Sequence, residues 1–136
     1  MISTLHKINE KSRDINFVLI VDDSSVTISF IQRVLEKGHF RVLTAATVSE
    51  ASNIIGNNNV GVVLIDYDLA GINEGTVLIE KIKKYKLNIL TFAISSSSSS
   101  NKALKECGCN GFIGKDAGKI RELLDSLRSR YLSIHL

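Results

Sequence analysis

Short continuous runs of apolar residues recur along the chain, separated by longer mixed segments. Because the runs show no alternation with polar residues, they predict strands that are buried on both faces, as in a parallel sheet. A sheet of this kind needs a covering layer on each side. The five runs are Phe17 to Val21, Val42-Leu43, Val60 to Ile65, Ile89 to Ile94 and Phe112-Ile113.

The segments between these runs carry apolar residues at the three- and four-residue spacing of amphipathic helices. The first stripe ends at Gly38, for which we predict the C′ position just beyond the helix. Thr47 to Glu50 has the pattern of a capping box and opens the second helix. The stripes are Ile28, Ile31, Val34 and Leu35; Ala51, Ile54 and Ile55; Leu78, Ile82 and Tyr85; Ala103, Leu104 and Cys107; and Ile120, Leu123, Leu124, Leu127 and Tyr131.

Five strands that alternate with five helices predict an α/β fold, a (βα)5 doubly wound five-stranded parallel sheet. Parallel neighbours require helical crossover connections, and these are right-handed. The length of 136 residues fits one domain. We expect that domain to span residues 16–132, after a polar N-terminal extension of residues 1–15 and before a short tail of residues 133–136.

Composition excludes several classes of protein. No window approaches the roughly 20 apolar residues of a membrane span. The first sixteen residues lack the apolar segment and cleavage site of a signal peptide, so a cytoplasmic location is expected. Cys107 and Cys109 are too close together to join distant segments, which excludes a disulfide framework, and packing is favoured for both over metal or redox use.

The formal net charge of +3 does not by itself indicate a nucleic-acid partner. Basic residues are dispersed apart from one cluster of four lysines, which we interpret as the solvated face of a helix. We therefore expect no direct binding of nucleic acid and no membrane partner. The four residues are Lys81, Lys83, Lys84 and Lys86.

Polar residues follow four of the predicted strands where each strand ends. Asp22 and Asp23 follow the first strand, Asp66 the third, Ser95 the fourth and Lys115 the fifth. In doubly wound sheets the carboxyl ends of the strands form the ligand-binding edge, so these groups are expected to converge. Clustered carboxylates repel one another and are normally neutralised by a hard cation, for which Mg²⁺ is the natural candidate.

A Mg²⁺ site of this kind also predicts a phosphoryl ligand. Mg²⁺ accepts phosphate oxygens in its coordination shell, while Lys115 and Ser95 offer an ammonium and a hydroxyl to the same group. No Gly-rich Walker loop is present, so a nucleotide is not expected to supply the phosphate. A carboxylate beside the cation can itself act as the nucleophile, and Asp66 is the best candidate.

Four ordered motifs resemble the response regulator receiver domain of two-component signalling, over about residues 16–131. The resemblance implies the flavodoxin-like receiver fold. It further implies that Asp66 accepts a phosphoryl group from a sensor histidine kinase or a histidine phosphotransfer protein. The motifs are Val21-Asp22-Asp23-Ser24, Val63-Leu64-Ile65-Asp66-Tyr67-Asp68-Leu69, Ala93-Ile94-Ser95-Ser96 and Cys107-Gly108-Cys109-Asn110-Gly111-Phe112-Ile113-Gly114-Lys115.

The same resemblance implies a role for each of the other site residues. Asp22, Asp23 and Asp66 would hold Mg²⁺, with the backbone carbonyl of Asp68 completing the shell. Ser95 and Lys115 would bind the phosphoryl oxygens, and Ser95 would act with Phe112 as the switch pair. The surface of the fourth helix, fifth strand and fifth helix would then change its affinity for a partner or a second copy. Such a domain is a switch, with slow autophosphorylation and autodephosphorylation, and not a turnover enzyme.

Some positions depart from the pattern of the family. Receivers usually carry a proline after the lysine, whereas this chain has Asp116, and Ala70 also stands where proline is usual. Asp68 adds an acidic side chain beside Asp66. These departures keep open a receiver-fold interaction module that acts independently of phosphorylation.

Two other functions remain as weaker alternatives. A phosphatase of the haloacid dehalogenase type would place its second aspartate two residues after the nucleophile, whereas Asp22 and Asp23 are adjacent. A flavodoxin-like electron carrier would require a phosphate-binding first loop, which the sequence lacks. The pathway, the cognate kinase, and the choice between a stand-alone receiver and a fragment of a larger regulator stay open.

Overall fold

The computed structural model describes residues 13–66, 72–85, 87–95 and 108–135, and for residues 72–75 and 132–135 it describes the backbone. Strands and helices alternate along most of this length. The strands are β1 (Asp14–Val21), β2 (Arg41–Ala45), β3 (Val60–Asp66), β4 (Leu90–Ser95) and β5 (Gly111–Gly114). The helices are α1 (Ser25–Lys37), α2 (Val48–Asn57), α3 (Ile72–Lys84) and α4 (Ala117–His135).

The five strands form one parallel sheet in the order β2-β1-β3-β4-β5. The predicted doubly wound five-stranded sheet is thereby confirmed. Chain order reverses between β1 and β3, so the carboxyl ends of these two strands flank the switch point where ligands of such sheets bind. The register pairs Val21 with Ile65 and Asp66 with Ile94, which brings the ends of β1, β3 and β4 to one edge.

Within the described residues, two helices pack against each face of the sheet. Alternate residues of β1 and β3 contribute to two separate cores, and this explains why both strands are continuously apolar in sequence. One face packs against α2 and α3, and the other packs against α1 and α4. The first core includes Leu19, Val63, Ala51, Ile55, Leu78 and Ile82, and the second includes Ile20, Leu64, Ile31, Leu35, Ile120 and Leu124.

The end of α1 differs from the prediction by one residue. Gly38 has a φ of −86° and is the C-cap, whereas His39, at the C′ position, has a φ of 67°. The N–H of His39 donates to the Glu36 carbonyl at 3.0 Å and that of Phe40 to the Leu35 carbonyl at 3.1 Å, a Schellman motif. The left-handed turn falls on His39 because it directs the Phe40 ring into the core beside Leu35.

The predicted capping box at the start of α2 forms with a small change. Thr47 Oγ1 accepts from the N–H of Glu50 at 3.1 Å. The carboxylate of Glu50 accepts from the N–H of Ala46 at 2.9 Å, one residue before the cap.

Regular structure extends past both expected domain boundaries, because β1 begins at Asp14 and α4 ends at His135. The predicted fourth helix around Ala103 and the serine run after Ser95 lie outside the described residues. α4 therefore corresponds to the fifth predicted helix. Within the described ranges, no helix combines the length and the apolarity needed to cross a membrane.

Candidate functional site

Asp22 is fixed immediately after β1 by hydrogen bonds on both sides. Its N–H donates to the Ala45 carbonyl at 3.0 Å, and its Oδ1 accepts from the N–H of Ser24 at 2.8 Å. Ser24 is the N-cap of α1, since its side chain accepts from the N–H of Thr27. Asp22 is fully buried, whereas the next residue, Asp23, is exposed.

Asp66 and Ser95 are the last residues of neighbouring strands. Asp66 ends β3, the middle strand of the sheet, and is 3% exposed. Ser95 ends β4 and is also buried. The two residues therefore lie side by side on the carboxyl edge, next to Asp22.

Lys115 connects this edge to the end of β5. Its backbone N–H donates to the Ser95 carbonyl at 3.0 Å, which holds the loop after β5 against the end of β4. Its Nζ lies 3.2 Å from Oδ2 of Asp22 and 3.2 Å from Oδ1 of Asp66. One ammonium group thus bridges two buried carboxylates from different strands.

The two carboxylates determine the protonation of Lys115. Burial acts to lower its pKa, but the coulombic attraction of Asp66, together with hydrogen bonding and attraction to Asp22, outweighs burial and raises the pKa above the ordinary lysine value. Lys115 is therefore a cation at neutral pH, suited to hold an anionic oxygen near Asp66.

Three acidic residues at this edge lie close enough together to bind one metal ion. One carboxylate oxygen from each of Asp22, Asp23 and Asp66 lies within 4.8 Å of the others. Among the described residues, the buried Oδ2 of Asp22 has the Lys115 ammonium as its partner. Three carboxylates and one ammonium leave two negative charges, so the donor set fits a hard divalent cation such as Mg²⁺.

The other predicted site residues have different placements. Phe112 is half-buried in β5, opposite Ala93 of β4. Asp68 and Ala70 lie outside the described residues. The Lys115–Asp116 peptide bond is trans, as are all peptide bonds of the described residues.

Two features of the site escaped the sequence analysis. Asp116 caps α4, which its position directly before an apolar helical stripe could have indicated. Val26 and Phe30 are exposed large apolar residues on α1, four positions apart and off the buried stripe. They line a cleft of about 690 Å³ together with Lys115 and Asp116.

Comparison with known proteins agrees with this arrangement. Residues 18–128 match the family model of the response regulator receiver domain. The chain belongs to this family. As a receiver domain it is a signalling switch and not a classical enzyme.

Proteins of similar sequence are named as a two-component response regulator and as a transcriptional regulatory protein. ARR13 of Arabidopsis thaliana, named as a two-component response regulator, is 30% identical over 103 residues, which is 72% of this chain and 18% of ARR13. Transcriptional regulatory protein YvrH of Bacillus subtilis is 33% identical over 86 residues, 62% of this chain and 36% of YvrH. The chain thus spans a minor part of the length of these relatives.

Solved receiver domains share the fold. A CheY-like receiver from Methanospirillum hungatei JF-1 is 27% identical with a TM-score of 0.68, covering 84% of this chain and 97% of its own. The receiver of Francisella response regulator 1452 has a TM-score of 0.74 at 22% identity, with coverages of 85% and 98%. The receiver of Ssk1 from Saccharomyces cerevisiae was solved with the histidine phosphotransfer protein Ypd1. It has a TM-score of 0.63 at 23% identity, with coverages of 73% and 77%.

Proposed function

We propose that this chain accepts a phosphoryl group on Asp66 in a Mg²⁺-dependent reaction, and that the modification switches a protein interface in two-component signal transduction. The donor is a sensor histidine kinase or a histidine phosphotransfer protein. The observation that carries this proposal is the Lys115 ammonium, 3.2 Å from the carboxylates of both Asp22 and Asp66. The buried phosphoryl acceptor Asp66 and the buried carboxylate of Asp22 thus both contact the Lys115 ammonium.

The proposed transfer uses each of these groups in a defined way. An oxygen of Asp66 attacks the phosphorus, the new O–P bond forms as the N–P bond of the donor phosphohistidine breaks, and the electron pair returns to the imidazole. The Lys115 ammonium and the Ser95 hydroxyl hold the phosphoryl oxygens.

Asp22, Asp23 and Asp66 would hold the Mg²⁺, together with the backbone carbonyl of Asp68. When bound, the cation neutralises charge on the transferring phosphoryl group. The aspartates supply hard oxygen ligands, and burial of Asp22 and Asp66 keeps their number and position fixed. The autophosphorylation and slow self-hydrolysis expected from the family belong to the same chemistry.

The cleft beside α1 gives a protein donor a place to bind. Val26 is 79% exposed and Phe30 is 60% exposed, and both line the cleft that also contains Lys115. A partner that covers these side chains lies within reach of Asp66, because Lys115 contacts both the cleft and that carboxylate. The complex of the Ssk1 receiver with Ypd1 supports a partner of this kind.

The proposed output follows from the charge that the phosphoryl group adds, roughly −1.5 to −2 at neutral pH. Ser95 lies beside Asp66, and its carbonyl accepts a hydrogen bond from the backbone N–H of Lys115. A movement of Ser95 towards the phosphoryl group therefore also moves the loop after β5. Phe112 lies on β5 next to this loop. The proposed output surface comprises β5, α4 and the predicted fourth helix, and it binds either another protein or a second copy of this chain.

Intact mass after incubation with Mg²⁺ and acetyl phosphate tests the proposal. We expect one labile phosphoryl adduct on the wild type, none with EDTA, and none on Asp66→Asn. A wild type that stays unmodified while it remains folded and binds Mg²⁺ would contradict the proposal. That result would favour an interaction module that is independent of phosphorylation.

A further inference from the structure

We propose that the side chain of Asp116 positions Lys115 for phosphoryl transfer by capping α4, an inference that rests on the proposed function. Asp116 Oδ1 accepts from the N–H of Lys119 at 3.1 Å, and its carbonyl accepts from the N–H of Ile120 at 3.0 Å. Asp116 is thus the N-cap of α4. It directly follows the lysine that holds Asp22 and Asp66 together.

The backbone around Lys115 is restrained on both sides. Its own N–H is bonded to the Ser95 carbonyl, and the N–H of Asp116 is bonded to the Gly114 carbonyl at 2.7 Å. Beyond the cap, Ala117 and Ile120 are buried and anchor the first turn of α4 in the core. Loss of the cap releases the segment between these anchors, and the base of the Lys115 side chain moves with it.

Asp116 is an unusual residue for this task. Receiver domains usually have proline at this position, and proline has no side-chain acceptor for the N–H groups at the start of a helix. In this chain the restraint comes instead from a carboxylate hydrogen bond. The alternative explanation is that Asp116 acts through its charge, since it lines the same cleft as Lys115.

Asp116→Asn separates these two explanations, because asparagine caps a helix as well as aspartate does but carries no charge. Thr47→Ala controls for lost helix stability. Thr47 caps α2 through an equivalent bond to Glu50, also 3.1 Å long, and α2 contributes no side chain to the site.

The first measurement is the rate of phosphorylation by acetyl phosphate with Mg²⁺. Displacement of a catalytic group by about 1 Å can cost on the order of 100-fold, so we expect Asp116→Ala to slow the reaction at least about fivefold. Asp116→Asn and Thr47→Ala should stay within about twofold of the wild type. In a Lys115→Met background, Asp116→Ala should have no further effect, because its action passes through Lys115.

The second measurement does not depend on phosphorylation. The side-chain NMR signals of Lys115, assigned by their loss in Lys115→Met, should move towards those of exposed lysines in Asp116→Ala. They should remain in place in Asp116→Asn and Thr47→Ala. A wild type that is not phosphorylated would overturn the proposed function, and these signals would still decide the inference.

Either of two results overturns the inference. One is an Asp116→Ala protein with the rate and the Lys115 signals of Thr47→Ala. The other is an Asp116→Asn protein as slow as Asp116→Ala, which would show that the charge and not the cap matters.

Discussion

Each edge of the sheet holds a basic side chain, buried for Arg13 and partly buried for Lys115, but the two edges pair it differently. At the carboxyl edge Lys115 lies between the carboxylates of Asp22 and Asp66. At the amino edge the guanidinium of Arg13, 4% exposed, donates through Nη1 to the backbone carbonyls of Asn58 at 3.1 Å and Val60 at 3.3 Å. Its Nε and Nη2 have no hydrogen-bond partner among the described residues.

The same physical effect therefore gives opposite outcomes at the two edges. Burial lowers the pKa of Arg13 to about 10. Burial also acts to lower the pKa of Lys115, but Asp66 and Asp22 outweigh it and raise that pKa. The carboxyl edge holds an excess of negative charge that attracts cations, whereas the described bonds of Arg13 at the amino edge join the start of β1 to Asn58 and to the first residue of β3. We therefore expect the functional site at the carboxyl edge, because it carries more charged groups than are needed to hold the strands together.

The largest expected effect comes from removing the cation at the carboxyl edge. Lys115→Met leaves Asp22 and Asp66 buried beside each other, and loss of one partner of a buried pair should cost about 2 to 3 kcal/mol of unfolding free energy. Urea unfolding in EDTA measures this. Saturating Mg²⁺ should recover most of the loss, since the metal supplies the missing charge.

Lys119→Met is the matched control for this prediction, because Lys119 is exposed on α4. It should change the free energy of unfolding by less than about 0.5 kcal/mol. Equal losses in the two variants, or no recovery with Mg²⁺, would show that the carboxyl edge has no special need for a cation.

A smaller effect is expected from the helix cap beside Asp22. Ser24→Ala removes the side-chain acceptor for Thr27 and should cost about 1 kcal/mol of stability. The Mg²⁺ affinity should stay unchanged, because Asp22 is held by the backbone N–H of Ser24, which the substitution leaves in place. Denaturation and a Mg²⁺ titration separate the two roles, and a large loss of affinity would make Ser24 part of the metal site.

The amino edge should tolerate loss of its buried charge better. Arg13→Met exchanges a guanidinium with two unpartnered nitrogens for an apolar side chain, and such exchanges are often close to neutral. We expect the unfolding free energy to change by less than about 1 kcal/mol. A loss as large as that of Lys115→Met would refute the contrast between the two edges.

The smallest expected effect is a gain of stability at the same edge. His39 holds a φ of 67°, a conformation that costs a residue with a Cβ about 1 kcal/mol or more. Glycine avoids this cost but loses more entropy on folding, so His39→Gly should gain about 0.5 kcal/mol. Thermal unfolding checks this, and a lower melting temperature would show that the imidazole contributes contacts of its own.

The sheet and its edge chemistry were predictable because they depend on patterns local to the sequence. Continuous apolar runs indicated doubly covered strands, and parallel strands place their carboxyl ends together. Asp22, Asp66 and Lys115 were therefore expected on one edge. Their mutual distances were not, because these depend on the registers of β1, β3 and β4.

Features that depend on tertiary context were missed. The left-handed turn falls on His39 and not on Gly38, because the burial of Phe40 decides where the chain turns. The burial of Arg13 has no signal in the sequence, since a basic residue before a strand is usually exposed. The cap formed by Asp116 did have a signal in the sequence, because an aspartate directly before an apolar helical stripe is typical of an N-cap.

The central claim is that Asp66 carries the phosphoryl group, and chemical location of the modified residue tests it most directly. Protein treated with Mg²⁺ and acetyl phosphate is reduced with borohydride, which converts an aspartyl phosphate to homoserine, and the peptides are sequenced by mass spectrometry. We expect homoserine at position 66 and at no other aspartate. Homoserine at Asp22 or Asp23, or no homoserine in a protein that carries the adduct, would contradict it.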